Sequence, residues 1–420
     1  TYNVGYGHYT LRANSTGNNN TAVGAWALCK NTAGCNVAVG YNALGVNTSG
    51  GCNTALGYAA GAANTTASYN TAVGFCSLFA NTTGHSNNAF GYLALNKNTC
   101  GNHNTGIGFM AMCDTTSGSY NVSVGNCTLT DQSTGASNTV VGYRGGASMT
   151  TGSNNVAVGQ SALKSNTTAG HNIGIGVAAL CTATTGEGNT AIGGVALESL
   201  TTGSFNNAMG KYALNAVTTG CRNTGLGYAA GLSNTTASFN TFAGACAAYN
   251  TSTGQHNATF GFRSLGTNTT GQHNTASGSY ALFANTTGNQ NVAIGLNAGN
   301  VNTTGCNNVY IGHSANPDAN NLNNVVVIGY DAEASATNDF ILGNSSHVLD
   351  IPSGKLKVGG SSGSNGQVLT TDGSGGVSWT STSITGTGGV STTSERTTHA
   401  GSGSHNSATS GTEDSTGFGY

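Results

Sequence analysis

The feature that most constrains the fold is a glycine that returns at a fixed interval through most of the 420-residue chain. It closes a pentapeptide such as Asn70-Thr71-Ala72-Val73-Gly74, and every interval is 17 residues except the step of 16 from Gly24 to Gly40. The row consists of Gly24, Gly40, Gly57, Gly74, Gly91, Gly108, Gly125, Gly142, Gly159, Gly176, Gly193, Gly210, Gly227, Gly244, Gly261, Gly278, Gly295, Gly312 and Gly329. So short a period makes each repeat a unit that stacks on its neighbours, which overrides the expectation of two or three globular domains at this length.

The composition agrees with an ordered repeat rather than with disorder. The chain has 67 Gly, 2 Pro and 6% charged residues, yet 37% of it is hydrophobic, and the apolar residues keep a constant phase in the repeat. Disordered chains instead combine high charge with few apolar residues. A Gly or Asn every few residues also excludes helix. The pattern therefore predicts an all-β array.

One repeat has the consensus Asn-Thr-Ala-Val-Gly-aromatic-x-Ala-Leu-x-x-Asn-Thr-Thr-Gly-x-x, and residues 70–86 serve as the reference coil. The alternation of a small and a large residue before the glycine, as in Ala72 and Val73, predicts a short strand whose two faces meet different neighbours. An Ala-Leu pair follows the glycine, and Asn81 to Gly84 has the composition of a turn. Each repeat is thus predicted to be one coil of a solenoid.

Stacked coils would satisfy their backbone by parallel strand pairing, with ladders of Asn and Thr side chains along the stack. We predict a parallel β-solenoid, or β-roll, of about 20 coils, which at about 4.8 Å per coil would extend roughly 95 Å. Its inner residues are expected to be mostly Ala and Val, so that one coil buries little apolar area. A side-by-side homotrimer would supply the missing core.

Three segments are predicted along the chain. Residues 1–345 form the solenoid shaft, residues 346–380 a cap and a small β module, and residues 381–420 a tail rich in Gly, Ser and Thr. The repeat degrades after Gly329, where several of the few carboxylates collect. A terminal cap at this point would shield the last strand edge.

Eleven cysteines are spread over the repeats, and most are predicted to replace Ala or Ser at small sites. Cys35 and Cys52 are the exception, because both immediately precede the leading Asn of a repeat. Stacking would make them direct neighbours within disulfide range. They are predicted either to form a disulfide or to remain as stacked thiols.

An aromatic residue follows the repeat glycine in five successive coils, at Tyr41, Tyr58, Phe75, Tyr92 and Phe109. This aromatic ladder has two interpretations. It is either a stacking platform for sugar rings or a structural ladder that packs a corner or a trimer seam. We favour the structural interpretation, since stacked aromatic side chains stabilise such arrays.

The residue before the leading Asn varies most among the repeats, and we call these residues the variable row. Variation among polar and aromatic types predicts an exposed row, which makes it the candidate binding surface. The candidates are Tyr69, His103, Tyr120, His171, Phe205, Arg222, Phe239, His256 and His273. His256 and His273 lie one period apart, so six imidazoles of a trimer could meet at a metal ion, although solvated surface histidines are the ordinary alternative.

The sequence lacks the motifs of an enzyme. It has no Gly-x-Ser-x-Gly, zinc-ligand spacing, phosphate-binding loop or recurring carboxylate pair. A formal net charge of −2 without a basic run argues against nucleic acid, and no apolar run reaches the roughly 18 to 20 residues of a membrane helix. We predict a non-enzymatic protein with no cofactor and no membrane insertion.

The Asn-x-Ala-Val/Ile-Gly core resembles the head repeats of trimeric autotransporter adhesins, which implies trimers of left-handed parallel β-rolls, although the longer period here implies a different coil. The segments Asn338-Asp339-Phe340-Ile341-Leu342-Gly343-Asn344 and Asn365-Gly366-Gln367-Val368-Leu369-Thr370-Thr371-Asp372-Gly373 look like stretches common in bacteriophage tail fibres. The resemblance covers roughly residues 1–380. It implies a fibrous, extracellular homotrimer whose partners are other virion or fibre proteins and a glycan or protein receptor on a cell.

Three functional hypotheses follow from the sequence. The first is a phage tail or receptor-binding fibre that holds a recognition surface away from the virion. The second is a trimeric bacterial surface adhesin or extracellular filament; that no outer-membrane anchor is recognisable favours the first. The third is an ice-binding solenoid, in which the Thr-Thr rows would form a hydroxyl array. Two points argue against it: Asn and Gly interrupt the rows, and the aromatic ladder has no role in ice binding.

Overall fold

A computed structural model describes residues 2–349, 357–358, 361, 363–364, 367–371 and 376–381. This part of the chain contains no helix, and its elements are short β-strands. The strands are β1 Val4–Tyr6, β2 Thr21–Val23, β3 Val37–Val39, β4 Thr54–Leu56, β5 Thr71–Val73, β6 Asn88–Phe90, β7 Thr105–Ile107, β8 Val122–Val124, β9 Thr139–Val141, β10 Val156–Val158, β11 Ile173–Ile175, β12 Thr190–Ile192, β13 Asn207–Met209, β14 Thr224–Leu226, β15 Thr241–Ala243, β16 Ala258–Phe260, β17 Thr275–Ser277, β18 Val292–Ile294, β19 Val309–Ile311, β20 Asn316–Pro317, β21 Val326–Ile328, β22 Glu333–Ala334, β23 Phe340–Leu342, β24 Gln367–Thr371 and β25 Val377–Ser381.

Each strand of the array pairs in parallel with the equivalent strand one coil further along. Thr71 of β5 lies opposite Asn88 of β6, and Val73 lies opposite Phe90. These pairings join 21 strands into one sheet, while β20 and β22 form a separate parallel pair. The predicted parallel β-solenoid of about 20 coils with a 17-residue repeat is confirmed.

The single 16-residue step is absorbed in a turn and leaves the sheet in register. Thr21 of β2 pairs with Val37 of β3 without an offset. The Asn20 side chain donates to the carbonyl of Ala33, 13 residues on, whereas in full-length coils the leading Asn donates to a carbonyl 14 residues on. The missing residue therefore belongs to the exposed turn, where a deletion costs least.

In the three-residue strands of the solenoid, the middle residue faces the interior and the last residue faces outward. Ala72 is 3% exposed, while its neighbour Val73 is only half-buried. We call the outward column of last strand residues the apolar stripe. Besides Tyr6 of β1, its most exposed members are Leu56, Phe90, Ile107, Val141, Ile175, Ile192, Met209, Leu226, Phe260, Ile294 and Leu342. The expectation that Val lines the interior beside Ala is thus wrong for most coils, because side chains alternate across a strand and the small residue takes the inner face.

The interior is built mainly from Ala and Leu. The pair after the repeat glycine is buried, and Ala94 and Leu95 are both 0% exposed. Leu95 has a φ of 51°, in the left-handed region that L-residues rarely adopt. Its N–H donates to the carbonyl of Ala111 in the next coil at 3.0 Å, so burial and an inter-coil hydrogen bond together hold this conformation.

Two of the coils that lack the buried Leu fill its space from the following strand. A Cβ added to Gly231 would overlap the ring of Phe242, which is the middle residue of β15 and fully buried. Tyr310 fills the space beside Gly299 in the same way. Beside Gly61 the following strand supplies only Ala72, so Leu44 of the preceding coil is the nearest side chain and a cavity of about 10 Å³ remains. The core is therefore packed by exchange of volume between adjacent coils.

Buried Asn side chains connect the leading residues of successive coils. The side-chain oxygen of Asn70 accepts the backbone N–H of Asn87 at 2.8 Å, and the NH₂ group of Asn70 donates to Gly84 in its own turn at 2.9 Å. The exposed turn carries a parallel ladder in which the Thr82 hydroxyl donates to the carbonyl of Thr99 at 3.0 Å. The predicted Asn and Thr ladders are confirmed.

A second buried ladder, formed by the turn Asn, is interrupted. Asn81 donates to Asn64 at 2.9 Å, but Asn166 lies between Met149 and Ala183 in the adjacent coils and makes no side-chain hydrogen bond to either. Both polar atoms of the buried Asn166 amide lack a hydrogen-bond partner in the described part of the chain. An unpaired buried polar group costs about 1–3 kcal/mol, so isolated turn Asn residues are weak points of the stack.

The glycine that closes each strand is required by its conformation and by the stacking. Gly193 has a φ of +133°, and a Cβ there would lie 2.6 Å from the carbonyl carbon of Gly210 in the next coil. Gly194, the next residue in the chain, has no heavy atom within 4 Å of an added Cβ. The period of the sequence is therefore set by close backbone contact between coils.

The array ends at β23, where Phe340 lies opposite Val326 of β21. The carboxylate of Asp339 accepts the backbone N–H groups of Ser335 and Ala336 and so closes the last turn. The chain divides into two compact units, Thr1–Val348 and Leu349–Tyr420. In the second unit β24 and β25 form an antiparallel hairpin. Residues 350–356 of the predicted cap and module, and the predicted tail from residue 382 onward, lie outside the described residues.

Candidate functional site

The variable row lies on the outer surface of the solenoid, and all nine candidate binding residues are exposed. Each has a positive φ, for example 63° at Tyr69 and 57° at His256. A left-handed residue here reverses the chain between the turn and the next strand. The row is therefore a regular column of exposed side chains, one per coil.

Neighbouring rings of the variable row stack on one another. Phe239, His256 and His273 have successive centroid separations of 5.1 and 4.9 Å and interplanar angles of 2°. The guanidinium of Arg222 lies 5.5 Å from the ring centre of Phe239 and 5.8 Å from that of Phe205. Five consecutive coils thus carry one continuous stack of four rings and a cation, held by stacking and cation–π attraction.

The other members of the variable row do not join this stack. His103 stacks on Tyr120 at 5.0 Å, and His103 also meets His85 edge-on at 4.9 Å. Tyr69 and His171 have no aromatic neighbour in the described part of the solenoid. The predicted binding residues therefore occupy separate places along one exposed column.

The aromatic ladder is one continuous stack. Its five rings have centroid separations of 5.1–5.4 Å and interplanar angles of 8–13°. Neighbouring rings cover both faces of Tyr58, Phe75 and Tyr92, so the ladder presents mainly ring edges to the solvent. Because a sugar ring stacks on an aromatic face, this geometry favours the structural interpretation over the sugar platform.

The two predicted cysteines and the two predicted metal-binding histidines each lie on adjacent coils. Cys35 and Cys52 are both exposed free thiols on adjacent coils. His256 and His273 contribute two stacked imidazoles. Across the described residues, no group of three or more His, Cys, Asp or Glu is placed to hold a metal ion.

A groove of about 740 Å³ opens on another part of the surface, between the repeat glycine and the turn, and extends over five consecutive coils. Its floor includes the buried Ala229 and Gly266, and its walls include Tyr212, Tyr249 and Phe283. A Cβ on Gly266 would lie 2.8 Å from the Phe283 ring, so the missing side chain leaves room for that ring to lie across the coil. The volume is within the range of about 300–1,000 Å³ found for small-molecule sites.

The rings of the groove meet at steep angles, unlike those of the ladder. Tyr212 and Tyr228 have an interplanar angle of 89° at 5.9 Å, and Phe283 meets Tyr280, which lies outside the groove lining, at 70° and 5.3 Å. Tyr249 has no aromatic neighbour in the described part of the chain. The groove therefore offers uncovered aromatic faces as well as edges.

The groove lies in a stretch of chain that carries positive charge. Between residues 199 and 317 there are three cations, Lys211, Arg222 and Arg263, and no Asp or Glu. Arg263 lines the groove with its guanidinium 5.6 Å from the ring centre of Phe262. No ion pair or side-chain hydrogen bond engages that guanidinium within the described residues.

Sequence reasoning missed the groove because its side chains occupy positions that the consensus treats as unconstrained. Tyr212 stands two residues after a repeat glycine, and Tyr249 and Phe283 stand five residues after one. The available signal was a local cluster of aromatic residues at these two positions, in a stretch with cations and no carboxylates. A search for conserved columns along the whole array does not detect such a cluster.

The groups with shifted pKa values lie outside the groove and the variable row. A hydrogen bond to Asp114, at 2.9 Å on the surface, raises the pKa of Lys97. Burial raises the pKa of the Cys113 thiol to about 11, and burial also raises the pKa of the Tyr310 hydroxyl. These shifts follow from ordinary packing and surface pairing.

A column of exposed Thr runs along the turns without interruption from Thr134 to Thr304. The neighbouring Thr column is partly buried, and its hydroxyls donate to the stack, as Thr218 does to the carbonyl of Thr235 at 3.2 Å. Asn and Gly therefore do not interrupt the Thr rows along the solenoid, and this objection to a hydroxyl array is wrong.

Comparison with protein-family models and with curated proteins gives no match to this chain. The described residues include no helix that is long and apolar enough to cross a membrane. The resemblance to adhesin head repeats and tail fibres therefore remains an inference from motifs, and the geometry of the solenoid carries the functional argument.

Proposed function

We propose that this chain is a structural and adhesive fibre protein, whose solenoid forms a rigid shaft by joining side by side with two further copies of itself. The observation that carries the proposal is the apolar stripe. It places one outward apolar residue on nearly every coil, with exposures such as 48% at Leu56 and 45% at Ile294. Monomeric proteins rarely expose contiguous apolar patches larger than a few hundred Å².

Self-association follows from the shape of the stripe. A column of apolar side chains in constant register is complementary to the same column on another copy, and each buried Å² contributes about 25 cal/mol. The interior is filled by small Ala side chains and single Leu residues, so each coil has a thin core. Three copies around one axis would bury the stripes and give the assembly the core that one coil lacks.

The setting we propose is the tail of a bacteriophage, outside the cell, with other virion proteins and a host receptor as partners. Support comes from the two sequence segments that look like tail-fibre stretches. Three copies of the chain per fibre would also raise the avidity for a receptor on the cell surface. A trimeric bacterial surface adhesin is the alternative with the same architecture. Neither version of the proposal includes catalysis or a cofactor.

Imaging of the native assembly, together with attachment of the purified protein, tests this function. We expect rods attached to virions, and we expect the fluorescently labelled full chain to attach to host cells in a saturable manner. Rods anchored on bacterial cells would replace the tail fibre with the adhesin alternative. Absence of both rods and saturable attachment would reject the adhesive function.

The exposed Thr column supports a second, distinct function, binding to ice. Eleven consecutive coils from Thr134 to Thr304 present a Thr hydroxyl at the same place. Thermal hysteresis of the purified protein, compared with a variant carrying Thr219→Tyr and Thr236→Tyr, tests it. A hysteresis that the two substitutions remove would favour ice binding, and no hysteresis would exclude it.

A further inference from the structure

We propose that the groove walled by Tyr212, Tyr249 and Phe283 binds an acidic oligosaccharide, with a sugar carboxylate held by Arg263. This inference rests on the proposed adhesive function and names the class of receptor that the fibre would recognise. It places recognition in the groove rather than on the stacked rings of the variable row.

The aromatic side chains of the groove suit a saccharide because their faces are accessible. A pyranose ring has one face of C–H groups that packs against an aromatic face, while its hydroxyls remain available for hydrogen bonds. Tyr212 and Tyr228 cross at 89°, so neither ring lies flat on the other, although Lys211 covers one face of Tyr212. Tyr249 has no ring stacked on it in the described part of the chain, so its faces are open to a ligand. In the ladder and in the stacked pairs of the variable row, by contrast, neighbouring rings cover one another at interplanar angles of at most 13° and 11°.

The polar groups of the groove suit hydroxyls and amides of a sugar. The side chains of Asn215, Asn250 and Thr267 line it among the aromatic rings. The NH₂ group of Asn215 already donates to Val195 and Glu198, and the Thr267 hydroxyl donates to the Phe283 carbonyl, so these two side chains offer acceptor oxygens. The Asn250 amide supplies both a donor and an acceptor, which matches vicinal hydroxyl groups. The site extends over five coils, about 20 Å at the spacing of parallel strands, so it accommodates several linked sugars.

Charge selects an acidic saccharide over a neutral one. Arg263 presents a guanidinium without an ion pair in the described part of the chain, and a guanidinium binds a carboxylate through two parallel hydrogen bonds. Lys211, beside Tyr212, adds a second positive charge at the other end. The nearest carboxylate in the preceding sequence, Glu198, lies at that end, where it accepts the NH₂ group of Asn215 at 3.1 Å.

Binding of defined probes to the full chain tests the proposal. Oligogalacturonate and a sialylated oligosaccharide serve as carboxylated probes, and carboxyl-reduced oligogalacturonate serves as the neutral probe of the same shape. We expect the wild-type protein to bind at least one carboxylated probe at least tenfold more tightly than the neutral one. Equal affinity for the acidic and neutral forms, or no binding of either carboxylated probe, would overturn the proposal.

Two substitutions separate the charge from the rings. Arg263→Gln is expected to weaken binding of the acidic probe at least tenfold while leaving the neutral probe unchanged, and Tyr249→Ala is expected to weaken both. Arg144 occupies the same place in another coil, with a φ of 56° against 53° at Arg263, and it lies outside the groove. Arg144→Gln is therefore the matched control, and an equal loss in that variant would contradict the assignment.

Two further outcomes identify other occupants. Polyglutamate that binds as tightly as oligogalacturonate would mean that charge alone, or an acidic peptide, is recognised. A change in the oligomer mass of Arg263→Gln would place a second copy of the chain in the groove. Either result would overturn the saccharide assignment.

The test also separates this inference from the adhesive function. Saturable attachment to cells without binding to the carboxylated probes would leave the function in place and reject the saccharide. Binding to the probes without attachment to cells would support the groove assignment and reject the adhesive role.

Discussion

The side-chain oxygen of Asn155 accepts the backbone N–H of Asn172, one coil further along, at 2.9 Å. The same bond recurs along the array, from the pair Asn3 and Asn20 to the pair Asn291 and Asn308. Each leading Asn thus satisfies a buried donor of the next coil, which would otherwise cost about 1–3 kcal/mol. The leading Asn is a structural part of the stack.

Replacement of a leading Asn is expected to destabilise the stack, whereas replacement of an isolated turn Asn is not. Asn172→Leu removes the acceptor of the Asn189 N–H, at 2.8 Å, and the donor to Gly186, at 2.8 Å. We expect a loss of about 2 kcal/mol or more and a lower melting temperature. Asn166→Leu is the control.

Asn166 is equally buried, but its amide has no partner in the described structure. Leu already occupies the equivalent place at Leu200, where it is fully buried. Asn166→Leu is therefore expected to be neutral or stabilising. Melting curves from circular dichroism check both variants, and similar losses would show that the ladder does not matter.

Adjacent glycines are expected to respond in opposite ways to the same substitution. Gly193→Ala places a Cβ at a φ of +133° and 2.6 Å from the Gly210 carbonyl carbon, while Gly194→Ala places one in open space. We expect Gly193→Ala to lower the melting temperature markedly and Gly194→Ala to change the stability by less than about 0.5 kcal/mol. Equal tolerance of both would contradict close contact between coils.

The exchange of core volume between coils predicts a rescue. Phe242→Ala is expected to cost about 3–5 kcal/mol because it empties the space beside Gly231. Gly231→Leu in the same chain should recover a large part of the lost stability. Leu214 holds the equivalent place in the preceding coil with a φ of 49°, and Gly231 has a φ of 61°, so the backbone at Gly231 already has the conformation that a Leu adopts there. A double-mutant cycle from urea unfolding measures the coupling, and strict additivity would contradict the volume exchange.

Cysteine reactivity is expected to follow burial. Burial raises the pKa of Cys113 to about 11, and Cys100 in the same part of the array is exposed. At pH 8 we expect iodoacetamide to alkylate Cys113 at least about tenfold more slowly than Cys100, as measured by peptide mass spectrometry. Equal rates in the folded protein would contradict the packing of Cys113.

The pH dependence of that difference has a definite sign. Folding raises the pKa of the Cys113 thiol from its ordinary 9.0 to about 11. The protonated thiol therefore contributes its full stability to the folded state below pH 9, and this contribution is lost as the pH rises through about 11. The alkylation rate of Cys113 should therefore keep rising up to that pH. Unfolding in urea should abolish the difference between Cys113 and Cys100.

The repeat could be predicted from the sequence, but the directions of its side chains could be predicted only in part. Gly74 and its equivalents gave the period, since a φ near +130° and close contact between coils leave no room for another residue. The sequence does not predict the outward direction of Val73. The alternation of a small and a large residue indicates that the two faces of the strand differ, but it does not indicate which face lies inside. Positive φ at Leu95 also has no sequence signal.

The groove could not be predicted, for a related reason. It depends on which coil carries a large residue and which an Ala or Gly at the same position, as with Gly266 beside Phe283. These differences between coils are deviations from the consensus, so a consensus averaged over all coils does not contain them. The stacking of the aromatic ladder, in contrast, follows directly from Tyr58 and Phe75 being one period apart.

The central claim, that the apolar stripe joins three copies of this chain, is tested by the native mass. A variant with Ile175→Lys, Ile192→Lys and Met209→Lys charges the stripe, and Thr185→Lys, Thr202→Lys and Thr219→Lys charge the exposed Thr column of the same three coils. Sedimentation equilibrium should give three times the chain mass of 41.5 kDa for the wild type and the Thr variant, and a smaller mass for the stripe variant. A monomer mass for the wild type, or a trimer that the stripe variant leaves intact, would contradict the claim.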